Sequence, residues 1–218
     1  MLLALETATN ICSVAFCNED GDLSEKRTQK QAAHSEKLFL FIEELMDEHD
    51  FRIPDLSGLL VSEGPGSYTG LRIGASAVKG LLFQTKVPLY GVNTLASFAF
   101  HAGSAETEGR IHSIIDARRK HVYHQSFQFS ETGLTAADDT EVFPIETFER
   151  MAKDGDMVVG TGISRLSDAM KAKTVTCGPG AITAKSLITL YQSGFDSFFH
   201  RSPPRSFEPK YLTSSQVN

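Results

Sequence analysis

Short apolar runs separated by polar turns characterise the first third of the chain and predict a strand-rich start. Residues 2–6 form an apolar run that ends in an acid, residues 11–16 alternate, and residues 18–21 (NEDG) are typical of a hairpin turn. A third strand is predicted over residues 23–28. The pattern therefore predicts an antiparallel meander, which a helix over residues 35–49 follows.

The helix predicted over residues 35–49 carries more apolar side chains than one buried face requires. A helix that is buried on one side needs about half of them. The surplus predicts a second contact, either within the fold or with another chain. The apolar residues are Leu38, Phe39, Leu40, Phe41, Ile42, Leu45 and Met46.

A glycine-rich segment (residues 63–70) joins a buried strand over residues 59–62 to a second helix over residues 69–84. The segment is neither a P-loop nor a dinucleotide fingerprint, so an anion-binding loop and a tight strand-to-helix turn both stay open. Each glycine inside the helix costs about 1 kcal/mol of helix propensity, which tight packing against another helix would offset. The small residues near helical spacing are Gly70, Gly74, Ala77 and Gly80.

After a polar stretch at residues 101–109, the pattern of the first half starts again. An apolar run over residues 111–116 ends in an acid, and residues 121–129 alternate as a hairpin mate would. The repeat predicts an internal duplication of a strand-rich α/β unit, with an N-terminal domain over 1–103 and a C-terminal domain over 104–218. Other predicted elements are strands at 87–90 and 157–160, helices near 94–100, 144–153, 163–171 and 181–193, and an irregular tail from residue 201.

Composition favours an ordinary globular protein that does not bind nucleic acid mainly through its own surface. Apolar residues make up 41% of the chain, and the net charge is 21 − 27 = −6. Such binding usually needs a basic excess, so any role in RNA chemistry is expected to depend on partners. Three cysteines without a CxxC motif favour a reducing cytoplasm, and no apolar run is long enough to predict a membrane span.

Two further segments each allow a functional and a structural interpretation. In actin-like ATPases the first hairpin carries Asp-x-Gly-Thr, but here Glu6 and Ala8 replace the Asp and the Gly, which favours a hairpin without its ligand. After a strand that ends at Asp116, the basic residues Arg118 and Arg119 either contact an anion or RNA or form a charged hairpin tip.

The histidines and serines indicate no catalytic or metal site. No HExxH or HxxxH pair occurs, and His121 and His124 are three residues apart on a predicted strand, so they point to opposite faces. Ser67 lies in the glycine-rich segment, but its surroundings do not match the Gly-x-Ser-x-Gly pattern. The sequence therefore predicts neither a metal centre nor a catalytic serine.

Four segments together resemble the TsaB family, over about the first half of the chain and the start of the second. The segments are residues 6–9 (ETAT), 64–74 (GPGSYTGLRIG), 91–95 (GVNTL), and 116–119 (DARR) with 122–123 (VY). The resemblance implies an α/β, two-domain actin/Hsp70/sugar-kinase-like (ASKHA) fold. It also implies a subunit of the bacterial system that makes threonylcarbamoyladenosine (t6A) on tRNA.

The resemblance also implies partners and an interface. The partners would be TsaD, the paralogue that carries a metal and transfers the carbamoyl group, and the ATPase TsaE; the chain would form a homodimer when alone and reach tRNA through the complex. No cofactor of its own is implied, and ATP or ADP at the complex interface stays open. Pairing through the two helices of the N-terminal domain implies contacts by Leu38, Phe41, Ile42, Leu45, Gly70, Arg72, Ile73, Gly74, Ala77 and Gly80.

One comparison within the resemblance separates a catalyst from a partner subunit. TsaD-type members carry Val-Asn-His-x-x-x-His, whose histidines hold the metal, whereas Thr94 and Phe98 stand at those places here. Phenylalanine cannot ligate a metal, which argues against a metallopeptidase or a transferase site. An ATP-dependent small-molecule kinase remains as the alternative, although Ala8 and the lack of a second acidic, glycine-rich phosphate loop argue against it.

Overall fold

The computed structural model describes residues 1–29 and 34–212 and shows an α/β protein with two mixed sheets. The strands are β1 (Leu2–Glu6), β2 (Cys12–Cys17), β3 (Leu23–Thr28), β4 (Gly58–Gly64), β5 (Leu89–Asn93), β6 (Ile111–Asp116), β7 (His121–Ser130), β8 (Gly133–Ala136), β9 (Glu141–Pro144), β10 (Met157–Val159), β11 (Val175–Cys177) and β12 (Phe199–Ser202). The α-helices are α1 (His34–His49), α2 (Tyr68–Leu81), α3 (Thr94–Ala102), α4 (Ile145–Met151), α5 (Asp168–Lys173) and α6 (Ala184–Gln192).

The two sheets share one topology. The strand order is β3-β2-β1-β4-β5 in the first sheet and β8-β7-β6-β10-β11 in the second. In both, the first two pairings are antiparallel and the last two are parallel. Strand β12 extends the first sheet beside β5, and β9 pairs with β7 in the second. The repeat confirms the predicted duplication and the two-domain α/β fold class.

Helices cover both faces of the first sheet. Helices α1 and α2 contribute to the same hydrophobic cluster as alternate residues of β1, β2 and β4, so both lie on one face. Helix α6 packs against β1 and β2 and contributes nothing to that cluster, which places it on the other face. Since neither face meets water, β1, β2 and β4 are buried along their whole length.

The segment Thr183–Lys210 returns to the first sheet after the second sheet is complete. The N–H of Ala184, at the start of α6, donates to Ser13 Oγ of β2 at 2.8 Å. At the end of the segment, the N–H of Lys210 donates to the carbonyl oxygen of Glu63 in β4 at 2.7 Å. Long-range hydrogen bonds therefore attach both ends of this segment to the first sheet.

The compact units consequently differ from the predicted domains. One unit is Met1–Thr94 with Thr183–Lys210, and the other is Leu95–Ile182 with the residues from Tyr211 onward. The sequence analysis assigned everything after residue 103 to a C-terminal domain (104–218). The residue pattern along the chain cannot show that α6 packs on the first sheet. Nor can it show that β12 adds a strand to that sheet, whose first strand lies almost 200 residues earlier.

The second unit has a smaller core of its own. Helices α4 and α5 cover one face of the second sheet, where Phe148 and Met170 pack against Ile114 of β6. On the other face, the hydroxyl of Ser113 donates to the carbonyl oxygen of Leu95 in α3 at 2.7 Å. This unit is therefore also a sheet between layers of helix.

Local differences from the predicted elements occur mostly in the second unit and the tail. The helix predicted over residues 163–171 is a 3-10 helix (Thr161–Arg165) followed by α5, because Ser167 starts α5 by capping Met170 N at 3.2 Å. The tail predicted as irregular from residue 201 contains the last residues of β12 and a 3-10 helix (Pro204–Ser206). None of the helices formed by the described residues has the length and apolar character needed to span a bilayer.

Candidate functional site

Helix α1 divides its surplus of apolar residues between the core and the surface. Leu38, Ile42 and Leu45 are at most 1% exposed and belong to the core of the first unit. Phe39 and Leu40, by contrast, are 47% and 37% exposed. The surplus predicted from the sequence is real, but the residues that carry it differ from those predicted.

The implied interface residues of α1 are therefore corrected. Leu38, Ile42 and Leu45 cannot meet another chain because the sheet and its neighbours already enclose them. Phe41 is half-buried against the same core. The spacing of positions 38, 42 and 45 is that of a helix stripe facing its own sheet, and the sequence analysis did not separate this stripe from the neighbouring positions.

Two of the small residues of α2, Gly70 and Gly74, pack on the β1–β2 loop. A Cβ atom placed on Gly70 would lie 2.0 Å from the carbonyl oxygen of Thr7, and one on Gly74 would lie 2.5 Å from Thr7 Oγ1. Both distances are shorter than real Cβ contacts, so only glycine fits at these positions without a shift. Gly70 and Gly74 thus hold the fold together and are withdrawn as interface residues.

The remaining implied residues of α2 fall into two groups. Ala77 is 2% exposed and Ile73 is half-buried against the core, so Ala77 is also withdrawn. Arg72 and Gly80 are exposed, and the guanidinium of Arg72 lies 4.1 Å from the centre of the Tyr68 ring. Such a cation–π contact fixes the orientation of both side chains on the surface.

Exposed large apolar side chains are concentrated on and beside α1 and α2. Four of the seven large apolar side chains that are exposed in residues 1–29 and 34–212 lie on or beside these helices, which contact each other. We call this set the α1/α2 surface; it comprises Phe39 (47%), Leu40 (37%), Tyr68 (54%) and Phe83 (62%). Tyr68 is the first residue of α2 and Phe83 lies beyond its last residue, so neither belongs to the face of small residues from which the sequence analysis argued.

The glycine-rich segment forms a tight turn whose polar groups bond within the unit. The N–H of Ser67 donates to the carbonyl oxygen of Ala8 at 2.6 Å, and Ser67 Oγ caps α2 by accepting from Gly70 N at 3.3 Å. A Cβ on Gly66 would lie 2.2 Å from the same Ala8 oxygen. The two candidate phosphate loops are thus in direct contact at Ala8, Gly66 and Ser67.

Glu6, at the end of β1, is fully buried and held by the loop that follows it. Its Oε1 accepts from Ala8 N at 2.7 Å, whereas Oε2 has no hydrogen-bond partner among the described residues. Burial raises the pKa of Glu6 to about 8, although the Ala8 N–H and the Ser62 hydroxyl oppose this. At neutral pH this carboxyl is mostly protonated, unlike the ionised carboxylate that an actin-like ATPase uses at this position.

Glu63, directly before the glycine-rich turn, anchors the returning tail. Its carboxylate is 3% exposed and accepts from Lys210 Nζ at 2.7 Å. The His200 Nδ1 atom lies 3.2 Å away, within ion-pair distance but without hydrogen-bond geometry. The buried charge of Glu63 is therefore compensated by the tail, and this cluster is structural.

The two positions that correspond to metal-binding histidines are occupied by structural residues. Thr94 Oγ1 accepts from Gly64 N at 3.1 Å, and Phe98 is fully buried. Within the described ranges, no group of three or more His, Cys, Asp or Glu side chains is arranged to hold a metal ion.

Arg118 and Arg119 form the tip of the hairpin between β6 and β7. Both are exposed, and both have a left-handed backbone, with φ of 69° and 53°. Asp116 accepts from Arg118 N at 2.8 Å and lies 3.6 Å from Arg165 Nη1. The structure thus places the two arginines together at a surface turn.

A buried histidine pair was not predicted from the sequence. His112 Nδ1 lies 2.9 Å from His124 Nε2, and His112 Nε2 lies 3.1 Å from Asp156 Oδ2. All three residues are at most 5% exposed. His112 is 12 positions from His124 and 44 positions from Asp156 in the chain, so the contacts become visible only in the folded structure.

Comparisons with known proteins give one consistent result. Residues 25–159 match the family model described as TsaD: tRNA N6-adenosine threonylcarbamoyltransferase. An Escherichia coli (strain K12) protein named tRNA threonylcarbamoyladenosine biosynthesis protein TsaB is 31% identical over 185 residues, which covers 83% of this chain and 80% of that protein. The protein of the same name from Bacillus subtilis (strain 168) is 30% identical and covers 72% and 68%.

The solved structures agree. YeaZ from Pseudomonas aeruginosa superposes with a TM-score of 0.77 at 27% identity, covering 97% of this chain and 99% of that chain. A second Pseudomonas aeruginosa structure, described as an uncharacterized protein with similarity to peptidase YEAZ, gives a TM-score of 0.80 at 25% identity, with the same coverage. The similarity therefore extends over the whole fold and both sheets.

Proposed function

This chain belongs to the TsaB family of tRNA threonylcarbamoyladenosine biosynthesis proteins, and we propose that within that system it is a non-catalytic subunit that binds a TsaD-type partner. TsaE would join this pair, and tRNA would be reached through the complex. The single observation that carries the proposal is the α1/α2 surface, because an exposed apolar set of this kind on two adjacent helices is typical of a protein interface.

The residues at the metal-binding positions of TsaD-type proteins support the non-catalytic part of the proposal. Thr94 is engaged with the backbone of the glycine-rich turn and Phe98 fills the core, so neither is available to a metal ion. Catalysis would then be left to the partner, whose sequence retains the histidines.

No observation favours the kinase alternative. The loop that would cradle a nucleotide phosphate is in direct contact with the glycine-rich turn, and burial raises the pKa of the carboxyl at the end of β1. We therefore propose that any ATP or ADP in the system binds at the interface with the partner or in the partner itself.

The proposal is tested by size exclusion with light scattering on this chain mixed with the TsaD-type protein of the same organism. We expect a complex heavier than either chain alone. The double variant Phe39→Glu, Phe83→Glu should elute separately from the partner, because aromatic anchors dominate interface energies and a buried carboxylate is costly.

Met151→Glu is the matched control, since Met151 is 39% exposed but lies in the second unit. It should bind the partner as the unmodified chain does. Both variants should keep the melting temperature of the unmodified chain, because the replaced side chains are exposed. A wild-type chain that elutes separately from the partner, with and without ATP and TsaE, would contradict the proposal.

A further inference from the structure

The turn between β6 and β7 carries arginines where the backbone favours other residues. Arg118 and Arg119 are consecutive and both left-handed, a conformation that is unfavourable for residues with a side chain and is usually taken by glycine or asparagine. The demands of the turn therefore do not explain why arginines stand here. Strained residues of this kind often lie at functional sites, where the side chain is what is needed.

The turn is firmly held despite this strain. Arg118 donates its N–H to Asp116 Oδ1 at 2.8 Å and accepts at its carbonyl oxygen from His121 N at 3.1 Å. The carbonyl oxygen of Lys120 accepts from Ile145 N at 2.8 Å. A binding turn that is already ordered loses little backbone freedom when it meets a ligand.

Three positive charges at this turn are uncompensated. Arg118, Arg119 and Lys120 are exposed, and none forms an ion pair with any residue in the ranges 1–29 and 34–212. The one acidic side chain at the turn, Asp116, is already paired with Arg165 Nη1 at 3.6 Å. The turn is thus strongly basic in a chain whose net charge is −6.

Aromatic rings adjoin the charges. His121 and Tyr123 are two residues apart on β7, so they share a face of the strand, and both are partly exposed. Both rings stand on the strand that starts directly after the turn, and the charge of Arg118 lowers the pKa of the Tyr123 hydroxyl against the larger, opposite effect of burial. Guanidinium groups beside a partly exposed ring are typical of surfaces that bind single-stranded RNA.

We propose that the basic turn, Arg118 to Lys120 with the ring of Tyr123, contacts the sugar-phosphate backbone of a single-stranded segment of the tRNA. The inference rests on the proposed function, which supplies tRNA as the substrate. Guanidinium forks fit phosphate oxygens, and separate unpaired cations match successive phosphates. RNA is favoured over an acidic protein surface because an unpaired base can stack on the adjoining ring while its phosphates meet the cations.

The test is a salt titration of RNA binding by the complex with the TsaD-type partner. The probe is an unmodified tRNA transcript, and affinity is measured by fluorescence anisotropy at several salt concentrations. Each phosphate contact to single-stranded RNA contributes about 0.7 to the slope of log K against log salt, so Arg118→Ala, Arg119→Ala should reduce the slope by roughly 1.4. Lys153→Ala, Lys171→Ala is the matched control, because it removes the same charge from exposed positions of the same unit.

A second variant separates binding from a merely structural role. Arg118→Gly, Arg119→Gly relieves the left-handed strain, so the melting temperature should hold or rise while RNA binding weakens as it does with alanine. A slope equal to that of the lysine control overturns the inference. So does an arginine variant that loses the partner protein while RNA binding by the chains is unchanged, which would indicate an acidic protein surface.

Light scattering on the same samples distinguishes a failure of partner binding from a failure of the proposed tRNA contact. Failure of the proposed function appears as separate elution of the unmodified chains. Failure of the present inference appears as an unchanged salt slope in a complex that forms normally.

Discussion

The surroundings of a buried side chain set its protonation state, and the pair His112 and His124 is the clearest case in this protein. Asp156 accepts from His112 Nε2, so His112 Nδ1 carries no proton and accepts from His124 Nε2. The geometry thus fixes the tautomers of two neutral rings. Burial would raise the pKa of Asp156, but the N–H groups of Lys153 and Arg110 and the His112 ring lower it, so this carboxylate stays ionised.

The histidine pair predicts a loss of stability in weak acid. Burial, followed by the charge of His112, lowers the pKa of His124 to about 4, and burial also lowers the pKa of His112. Both rings bind a proton more weakly in the folded protein than in the unfolded chain. The contribution of the two neutral rings to the free energy of unfolding is therefore complete above pH 6.5, the ordinary histidine pKa. It is lost as the pH falls toward 4.

Urea denaturation at pH 7 and at pH 4.5 measures this loss. For His124, a pKa lowered to about 4 corresponds to a loss of roughly 3 kcal/mol of unfolding free energy at most as the pH falls through this range. His124→Gln keeps a donor for His112 but cannot titrate, so its unfolding free energy should change less with pH. An unfolding free energy of His124→Gln that changes with pH as much as that of the unmodified chain would contradict this explanation.

At the scale of elements, α2 depends on the absence of side chains at its N-terminal end. Gly70 and Gly74 let the helix lie directly on the β1–β2 loop, where Thr7 leaves no space for a Cβ atom. The sequence predicted close packing of the small residues against another helix, and the resemblance implied that they lie at an interface. The spacing shows that one face of a helix carries small residues, whereas only the fold shows what packs against that face.

Two glycines in the same helix should respond to alanine with opposite signs. Gly70→Ala should destabilise the protein by about 1–3 kcal/mol, because its Cβ would lie 2.0 Å from a backbone oxygen. Gly80→Ala should stabilise it by roughly 0.5–1 kcal/mol, because Gly80 is exposed and nothing lies within 4 Å of a Cβ there. Thermal unfolding of both variants measures the difference, and a stable Gly70→Ala protein would show that the loop contact is unimportant.

Much of the element pattern could be predicted, and the failures have physical reasons. The hairpin β1–β2–β3, helices α1 and α2, and strand β6 follow from periodicity and turn residues close in sequence. Strands β8, β9, β11 and β12 have three or four residues, too few for a periodic signal. The interface residues were misassigned because some apolar residues of α1 face the core and others face the surface. Only their burial in the structure distinguishes Leu38, in the core, from Phe39, on the surface.

At the scale of the whole molecule, one topology occurs twice and only one copy carries the α1/α2 surface. The first unit adds α6 and β12 from the end of the chain, while the second remains a five-strand core with β9 on one edge. At the ends of β1 and β4 in the first unit, the β1–β2 loop and the glycine-rich segment are in direct contact.

The most direct test of the central claim is the modification reaction rebuilt from purified parts. A tRNA transcript is incubated with the TsaD-type protein, TsaE and a source of threonylcarbamoyl-adenylate, with and without this chain, and threonylcarbamoyladenosine is measured by mass spectrometry. The account predicts that product requires both this chain and the TsaD-type protein, and that this chain forms none in the absence of that protein. Equal product without this chain, or product from this chain without the TsaD-type protein, would contradict it.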